Sequence, residues 1–430
     1  MPPLLLLLVL LLPGLGLANT LDITITGGTE GASPIAVIPS GWAGNGQQPQ
    51  YNINEIIASD LHRSGRFRTL EQRDMVSRPQ RSEQVEFRDW RALGMDHLVI
   101  GEMSGAGPDA YKVNFVLFDI YRGEPLLSYE TSFTSRTLRS VAHRLADMIY
   151  EKLTGEPGAF DTKVAYVTST GSGEIKRTSL QVADSDGYNP QTIVASPDPL
   201  MSPAWSPDGR QIAYVSFEKG QPSIYVQEIT SGKRRKIAAY SGINGAPSWS
   251  PDGSKLAMTL SKDGSPDIFI YSMGSGALER FTSHYAIDTE PAWAPDGRSL
   301  IFTSDRGGKQ QIYQAVLGAG DSPKRLTFEG QSNARGSFSP DGKLLVLETQ
   351  TGSGYGIAVQ DLASGRLKLL TNGGYDESPS FSPNGRMIIY ATKVNGRDEL
   401  AAVSVDGRVK QRLQLQAGEV REPRWGPKVR

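Results

Sequence analysis

Chemistry needs a nucleophile with a base beside it, a matched pair of carboxylates or a set of metal ligands. This 430-residue chain offers little of any of them. It has no cysteine, which excludes thiolate catalysis, disulfides and thiolate metal sites. No G-x-S-x-G sequence occurs, so the usual nucleophile elbow is missing. The four histidines, His62, His97, His143 and His284, stand at unrelated spacings, and none forms an H-x-x-x-H pair for zinc. Asp184-Ser-Asp186-Gly187 has the opening of a calcium loop but lacks the downstream ligands, so it reads as a turn. No phosphate-binding loop or dinucleotide fingerprint is present. These residues point to a non-enzymatic chain with no cofactor and no metal site.

The polar groups that could do something else are carboxylates and amides, and they recur just before a repeated aromatic. The segments read Leu200-Met-Ser-Pro203, Ile243-Asn-Gly-Ala-Pro247, Ile287-Asp-Thr-Glu-Pro291, Ser332-Asn-Ala-Arg335, Tyr375-Asp-Glu-Ser-Pro379 and Val420-Arg-Glu-Pro423. Asp288, Glu290, Asp376, Glu377 and Glu422 would give a ring of negative charge if these segments were gathered around one opening. Such a ring suits a basic or hydrogen-bonding protein segment. Ordinary solvated loop polarity accounts for any one of these residues equally well.

What gathers them is a repeat. Trp205-Ser-Pro-Asp-Gly209 returns at Trp249, Trp293 (with alanine for serine), Phe338 and Phe381 (with asparagine for aspartate), and Trp425-Gly-Pro427 is a truncated last copy. The aromatic positions lie 43 to 45 residues apart, the length of one four-stranded propeller blade. Within each unit a short strand carries the aromatic and Pro-Asp-Gly makes a tight turn. A β-branched and aromatic run follows, such as Ile212-Ala-Tyr-Val215, and two more strands complete the unit. The first unit lacks its first strand, while Pro423-Arg-Trp425 is a first strand with nothing after it. Joining the two closes a ring and hides its edges. The expectation is an α/β N-terminal domain followed by an all-β six-bladed β-propeller, with the C-terminal strand completing the first blade. In this reading the tryptophans are wedges between blades, and Asp208, Asp252, Asp296 and Asp341 are turn residues.

The boundaries follow: an N-terminal domain over 19–155, a linker at 156–162 and the propeller over 163–430. Residues 1–18 are an apolar leader ending Gly16-Leu17-Ala18, with the small residues that signal-peptide cleavage requires. No lysine or arginine precedes the run, and the run is too short to span a bilayer comfortably. Apolar residues at 38%, 21% charged and a net charge of −1 mark a globular chain without the basic surface of a nucleic-acid binder. Between leader and propeller, Ile35–Ile38, Phe67–Leu70 and Leu98–Ile100 read as strands, and 113–121 with 126–133 as a hairpin. Asn54–Ser64 and Leu138–Leu153 read as amphipathic helices, the second stopped at Gly155. Leu21, Ile23 and Ile25 alternate with Asp22 and Thr24. That short period-two strand, within 19–28, is read first as the opening strand of the N-terminal domain. A strand lent to a partner's sheet edge is the alternative, and disorder a third.

The leader, the domain order, the tandem repeat and the stretches Ser33–Pro39, Asn244–Pro247, Asp288–Trp293 and Asp376–Pro379 together resemble the TolB family of the Tol–Pal system, across essentially the whole chain. The resemblance implies a periplasmic protein that binds the peptidoglycan-associated lipoprotein, Pal, at the propeller mouth. It implies contact with the C-terminal domain of TolA through the mature N-terminal strand, in a system that keeps the outer membrane intact and constricts it at division. Some colicins borrow the same mouth. No nucleic acid is involved, and the chain would be peripheral to the outer membrane through its partners, not inserted. Matched position by position, Ala246, Asp288, Thr289 and Glu290, with Asn244, Asp376 and Glu377, fall at the lipoprotein site. Leu21, Asp22, Ile23, Thr24 and Ile25 fall at the TolA site. Two residues depart from the family pattern: Ile243, where a polar or histidine residue is expected, and Gly336, where the other five units carry proline. An exported propeller that holds a glycan or an unrelated envelope protein remains open, and a hydrolase is the third class.

Overall fold

The computed structural model describes residues 22–27, 31–44, 46–318, 323–414 and 418–428. The leader at 1–18 and Leu21 lie outside them. No helix among the described residues is long and apolar enough to cross a membrane.

Six four-stranded antiparallel sheets form the propeller. The innermost strands are Leu200–Trp205, Asn244–Trp249, Asp288–Trp293, Asn333–Phe338, Glu377–Phe381 and Glu419–Trp425. The last of these pairs with Lys163–Thr170, the second strand of the first blade, in a register that sets Trp425 opposite Val164. The two ends of the repeat are therefore sewn into one sheet, and the ring closes as the repeat arithmetic requires.

Each piece of the repeated motif has a job. In the second blade Ser206 Oγ accepts the Gln211 amide at 2.9 Å and donates to Asp208 at 2.5 Å, while Asp208 accepts the Arg210 amide at 3.0 Å. These bonds hold the Asp208 carboxyl below its usual range. The same serine-to-aspartate contact recurs at Ser250–Asp252 and Ser339–Asp341. The motif glycines have φ near +70°, which a side chain tolerates poorly. A Cβ on Gly253 would also stand 3.3 Å from Pro207 of the preceding blade. The indole N–H of Trp249 donates to Ala204 O, and that of Trp293 to Ser248 O, each 45 residues back. Turn, wedge and indole bond all tie one blade to the next, so the repeat length is the blade length.

The N-terminal domain is a mixed sheet ordered Phe67–Thr69, Ser33–Val37, His97–Gly107, Ala110–Asp119, Glu124–Phe133, with Gly41–Trp42 also on His97–Gly107. Helices α1 (Ile53–Arg63) and α3 (Leu138–Thr154) bury Ile57, Leu61, Val141, Leu145 and Ile149 on one face. The short α2 (Phe87–Ala92) closes the other face with the fully buried Trp90. The sequence pattern did not reveal α2, because six residues are too few to show a helical period. Gly155 ends α3 in the left-handed conformation, φ +73°, as its position after the last helical turn suggests.

One sequence expectation is overturned here. The strand Asp22–Gly27 does not open the N-terminal domain's sheet. It adds as a fifth strand to the outer edge of the sixth blade, antiparallel to Lys410–Gln414, with Ile23 opposite Leu413 and Ile25 opposite Gln411. Period-two alternation says that a segment is a strand, but not which edge receives it.

Candidate functional site

Antiparallel blades put two kinds of connection on each face of the ring. The Ser-Pro-Asp-Gly turns share a face with the turns between third and fourth strands. The segments entering the inner strands share the other face, the mouth, with the turns between second and third strands. The N-terminal domain packs on the first face: Asn384 Nδ2 donates to Pro157 O at 2.9 Å, Arg63 to Ser185 Oγ at 2.8 Å, and Lys428 to Gly158 O at 3.0 Å. The mouth stays uncovered by it.

The entering segments are not loops, as the sequence suggested, but the first halves of the inner strands. Each inner strand bulges in the same place, shifting its register against the second strand. The bulge residues Ser202, Ala246, Glu290, Arg335, Ser378 and Glu422 all have φ between +47° and +57°. A left-handed non-glycine residue costs on the order of 1–3 kcal/mol, and five of the six precede a proline, which disfavours helical geometry further. Repetition at all six blades means the bulge belongs to the ring and turns these side chains toward the channel. Gly336 keeps the geometry without proline, and a Cβ there would crowd Ile312 and Ile301 at 3.2–3.3 Å.

Two positions before each bulge residue lies a buried side chain: Leu200, Asn244, Asp288, Asn333, Asp376 and Val420. The polar ones order the rim. Asp288 has no exposed surface and takes both its bonds, at 2.7 and 2.9 Å, from the Arg306 guanidinium. Asn244 accepts the Tyr240 amide at 2.9 Å and donates to Tyr240 O at 2.7 Å. Asp376 accepts from Gly373 N at 2.9 Å and Thr392 Oγ1 at 2.6 Å. Asp305 accepts the Ile287 amide, and Ser261 Oγ the Ile243 amide. The turns after the second strands thus brace the rim from outside.

The bulge residues form the channel. A space of about 280 Å³ is lined by Ser202, Ala246, Glu290, Arg335, Glu422 and Arg424, among others. Arg335 is its hub: Nε meets Glu290 at 2.9 Å, Nη1 donates to Ser378 Oγ at 2.6 Å, and Glu348 lies at 3.6 Å. Thr303 Oγ1 donates to Glu290 at 2.8 Å, and the Ser378 amide to Glu348 at 2.6 Å. Burial pushes Glu348 up to about 7, against the opposing pull of Arg335 and the Ser378 amide. Burial opposes the charge of Arg335, but Glu348 and Glu290 raise its pKa beyond the ordinary arginine value. Blades four, five and six are clamped together by this one guanidinium.

Comparison with known proteins places the chain. A family model described as the TolB amino-terminal domain matches residues 21–126, and one described as the TolB beta propeller domain matches 150–429. The chain belongs to the TolB family. It is 57% identical over 423 residues to the Tol-Pal system protein TolB of Xanthomonas oryzae pv. oryzae, covering 97% of this chain and 96% of that one. It is also 57% identical, over 409 residues, to the protein of the same name from Xanthomonas campestris pv. campestris, covering 95% and 93%. The crystal structure of TolB from Acinetobacter baumannii superposes with a TM-score of 0.88 at 40% identity, covering 95% of this chain and all of that one.

In this TolB-family chain the mouth has a second feature that polarity alone did not disclose. Of fourteen exposed large hydrophobic residues among the described residues, nine lie on the mouth face: Ile175, Met201, Tyr240, Ile243, Tyr285, Ile287, Phe328, Tyr355 and Tyr375. Tyr285 is 86% exposed and Phe328 72%. Thr289, Ala246 and Glu377 are half-buried among them, whereas Asn244, Asp288 and Asp376 lie beneath the surface. Exposed apolar side chains gathered on one face are a feature that protein-binding surfaces share. The signal was present in the sequence as Tyr240, Ile243, Tyr285, Ile287 and Tyr375 beside the mouth segments, but exposure of a single apolar residue means nothing until the fold gathers several.

A second cluster escaped the sequence reading altogether. His143 on α3 contacts Asp60 on α1 at 2.6 Å, and Asp186 of the first blade lies 3.9 Å from its other nitrogen. Burial works against the imidazolium, but Asp60 and then Asp186 raise its pKa above 6.5. Asp60, His143 and Asp186 bring ligand atoms within 4.8 Å of one another. Arg63 holds Asp60 at 2.9 Å, and Arg139 holds Asp184 at 3.2 Å and contacts Asp186. The chain's own guanidiniums supply the positive charge here, which makes the cluster a pin between domains. Asp184-Ser-Asp186-Gly187 is the turn the sequence suggests, with its carboxylates spent on α1 and α3 through cations and His143.

Proposed function

We propose that this chain is a non-enzymatic, periplasmic protein-binding component of the Tol–Pal system, at work in keeping the outer membrane intact and constricting it at division. The observation that carries this reading is the mouth: an exposed rim of aromatic and aliphatic side chains around a clamped polar channel, on the face the N-terminal domain leaves free. Its partner there is the peptidoglycan-associated lipoprotein, and a colicin could use the same surface. Ala246, Thr289 and Glu377 would touch it. Glu290 would act from within the channel, and Asn244, Asp288 and Asp376 would serve by ordering the rim.

The second partner is the TolA C-terminal domain, reached through Leu21–Ile25. The support is the position of Asp22–Gly27, an edge strand added to a blade from a distant part of the chain. An edge strand is held by one ladder of hydrogen bonds and can be exchanged for another. Docked and released states compete, and a partner at the mouth shifts that balance if it binds the two states unequally.

The test is calorimetry with the soluble domain of the lipoprotein. Tyr285→Ala together with Ile287→Ala should weaken binding by about tenfold or more, as loss of exposed anchors does, with an unchanged melting temperature. Removal of 19–28 should abolish TolA binding and leave lipoprotein binding measurable. Undiminished lipoprotein affinity in the first variant, or capture of a glycan by the same rim in its place, would turn the assignment to the alternative class.

A further inference from the structure

One cavity of the molecule lies away from the mouth. It measures about 470 Å³ and lies on the opposite face, between the N-terminal domain and blades one and six. Ligand sites of small molecules span about 300–1,000 Å³ and favour domain boundaries. Tyr150, Phe160, Met387, Val409 and Trp425 contribute apolar wall, on a space that also reaches Gly31 and Ala32.

The charge on this cavity is unbalanced. Arg66 and Arg386 both reach one carboxylate, Glu156, the first at 3.8 Å. Arg408 reaches Asp406 at 3.7 Å and is 76% exposed. Arg63, also in the lining, is held by Asp60 at 2.9 Å. Four guanidiniums against three carboxylates leave a positive excess beside an apolar wall, and a guanidinium fork matches a carboxylate in geometry. Burial raises the Tyr150 hydroxyl above its usual range, so it stays a proton donor beside them.

We propose that this cavity binds a small free anion with an apolar body, a monomeric carboxylate-headed amphiphile, its head on Arg408 and Arg66 and its body against Phe160, Met387 and Val409. A cation of the same shape would meet the same wall but repulsive charge.

Decanoate, titrated into the full chain below its micelle-forming concentration, should bind at one site about tenfold tighter than decyltrimethylammonium, a difference of 1.4 kcal/mol. Arg408→Ala, at an exposed turn, should weaken decanoate about fivefold or more by removing a charged partner. Ala32→Trp, which fills the space, should do the same, and if it disturbs folding Arg408→Ala decides. Tyr285→Ala, at the mouth, should change nothing. Equal affinity for the cationic amphiphile, binding that survives Arg408→Ala, loss of binding in Tyr285→Ala, or no calorimetric signal at all overturns the site.

Discussion

Replacing Arg335 by methionine keeps the unbranched apolar stem of the side chain and removes the cation shared by Glu290, Glu348 and Ser378. Glu348 is 8% exposed, and the Ser378 amide, at 2.6 Å, would still donate to it. Taking one member from a buried ion pair costs about 3–5 kcal/mol. Arg335 is itself about a third exposed, so the lower end, about 3 kcal/mol, is expected. The loss should depend on pH. Glu348 already titrates at about 7 in the folded chain against an ordinary 4.5, and without the guanidinium it would titrate higher. A carboxyl raised in this way loses stability as pH climbs from its unfolded value through its folded one. Near pH 5 Glu348 is protonated with or without Arg335, and the deficit should shrink to about 1 kcal/mol, the worth of the part-exposed Glu290 pair. At pH 8, one unit above the folded value, it should be larger by about 1.4 kcal/mol. Urea unfolding followed by tryptophan emission reads this, since Trp205, Trp249, Trp293 and Trp425, four of the six, belong to the blades. A deficit that is the same at pH 5 and pH 8, or below about 1 kcal/mol at pH 8, would refute Arg335 as the clamp.

For His143 the deficit of the variant should shrink with rising pH, where that of Arg335→Met grows. Its pKa is raised by Asp60, so its stabilisation is complete below about 6.5 and is lost as pH rises through the folded value. The melting temperature should fall as pH rises past about 6.5 in the wild type and fall less in His143→Asn, and parallel profiles would argue against the pin. Asp288→Ala leaves the Arg306 guanidinium facing no carboxylate there and should cost about 3 kcal/mol, with Asp288→Asn milder, both read by urea unfolding. Deleting 22–27 should speed hydrogen exchange at Lys410–Gln414, whose outer edge that strand covers, while leaving the inner strands of the other blades unchanged.

The division between what could be read from the chain and what could not runs along the distance over which each feature is determined. The blade count, the closure of the ring by Trp425 and the turn role of Asp208 and Gly209 were legible in the sequence, because Ser, Pro, Asp and Gly act within five residues and the period counts blades. The stop of α3 at Gly155 was legible for the same reason. Three features were decided only by the fold. Asp22–Gly27 chose the sixth blade's edge although 383 residues separate Gly27 from Lys410, its partner there. Asp288 and Asp376 look like exposed acids in sequence but are buried under the rim by Arg306 and Thr392. Asp60, His143 and Asp186 share no spacing and meet because two domains pack. A local rule fixes a turn through a few dihedrals, whereas burial of a charge and choice of a sheet edge depend on neighbours that only a folded chain supplies.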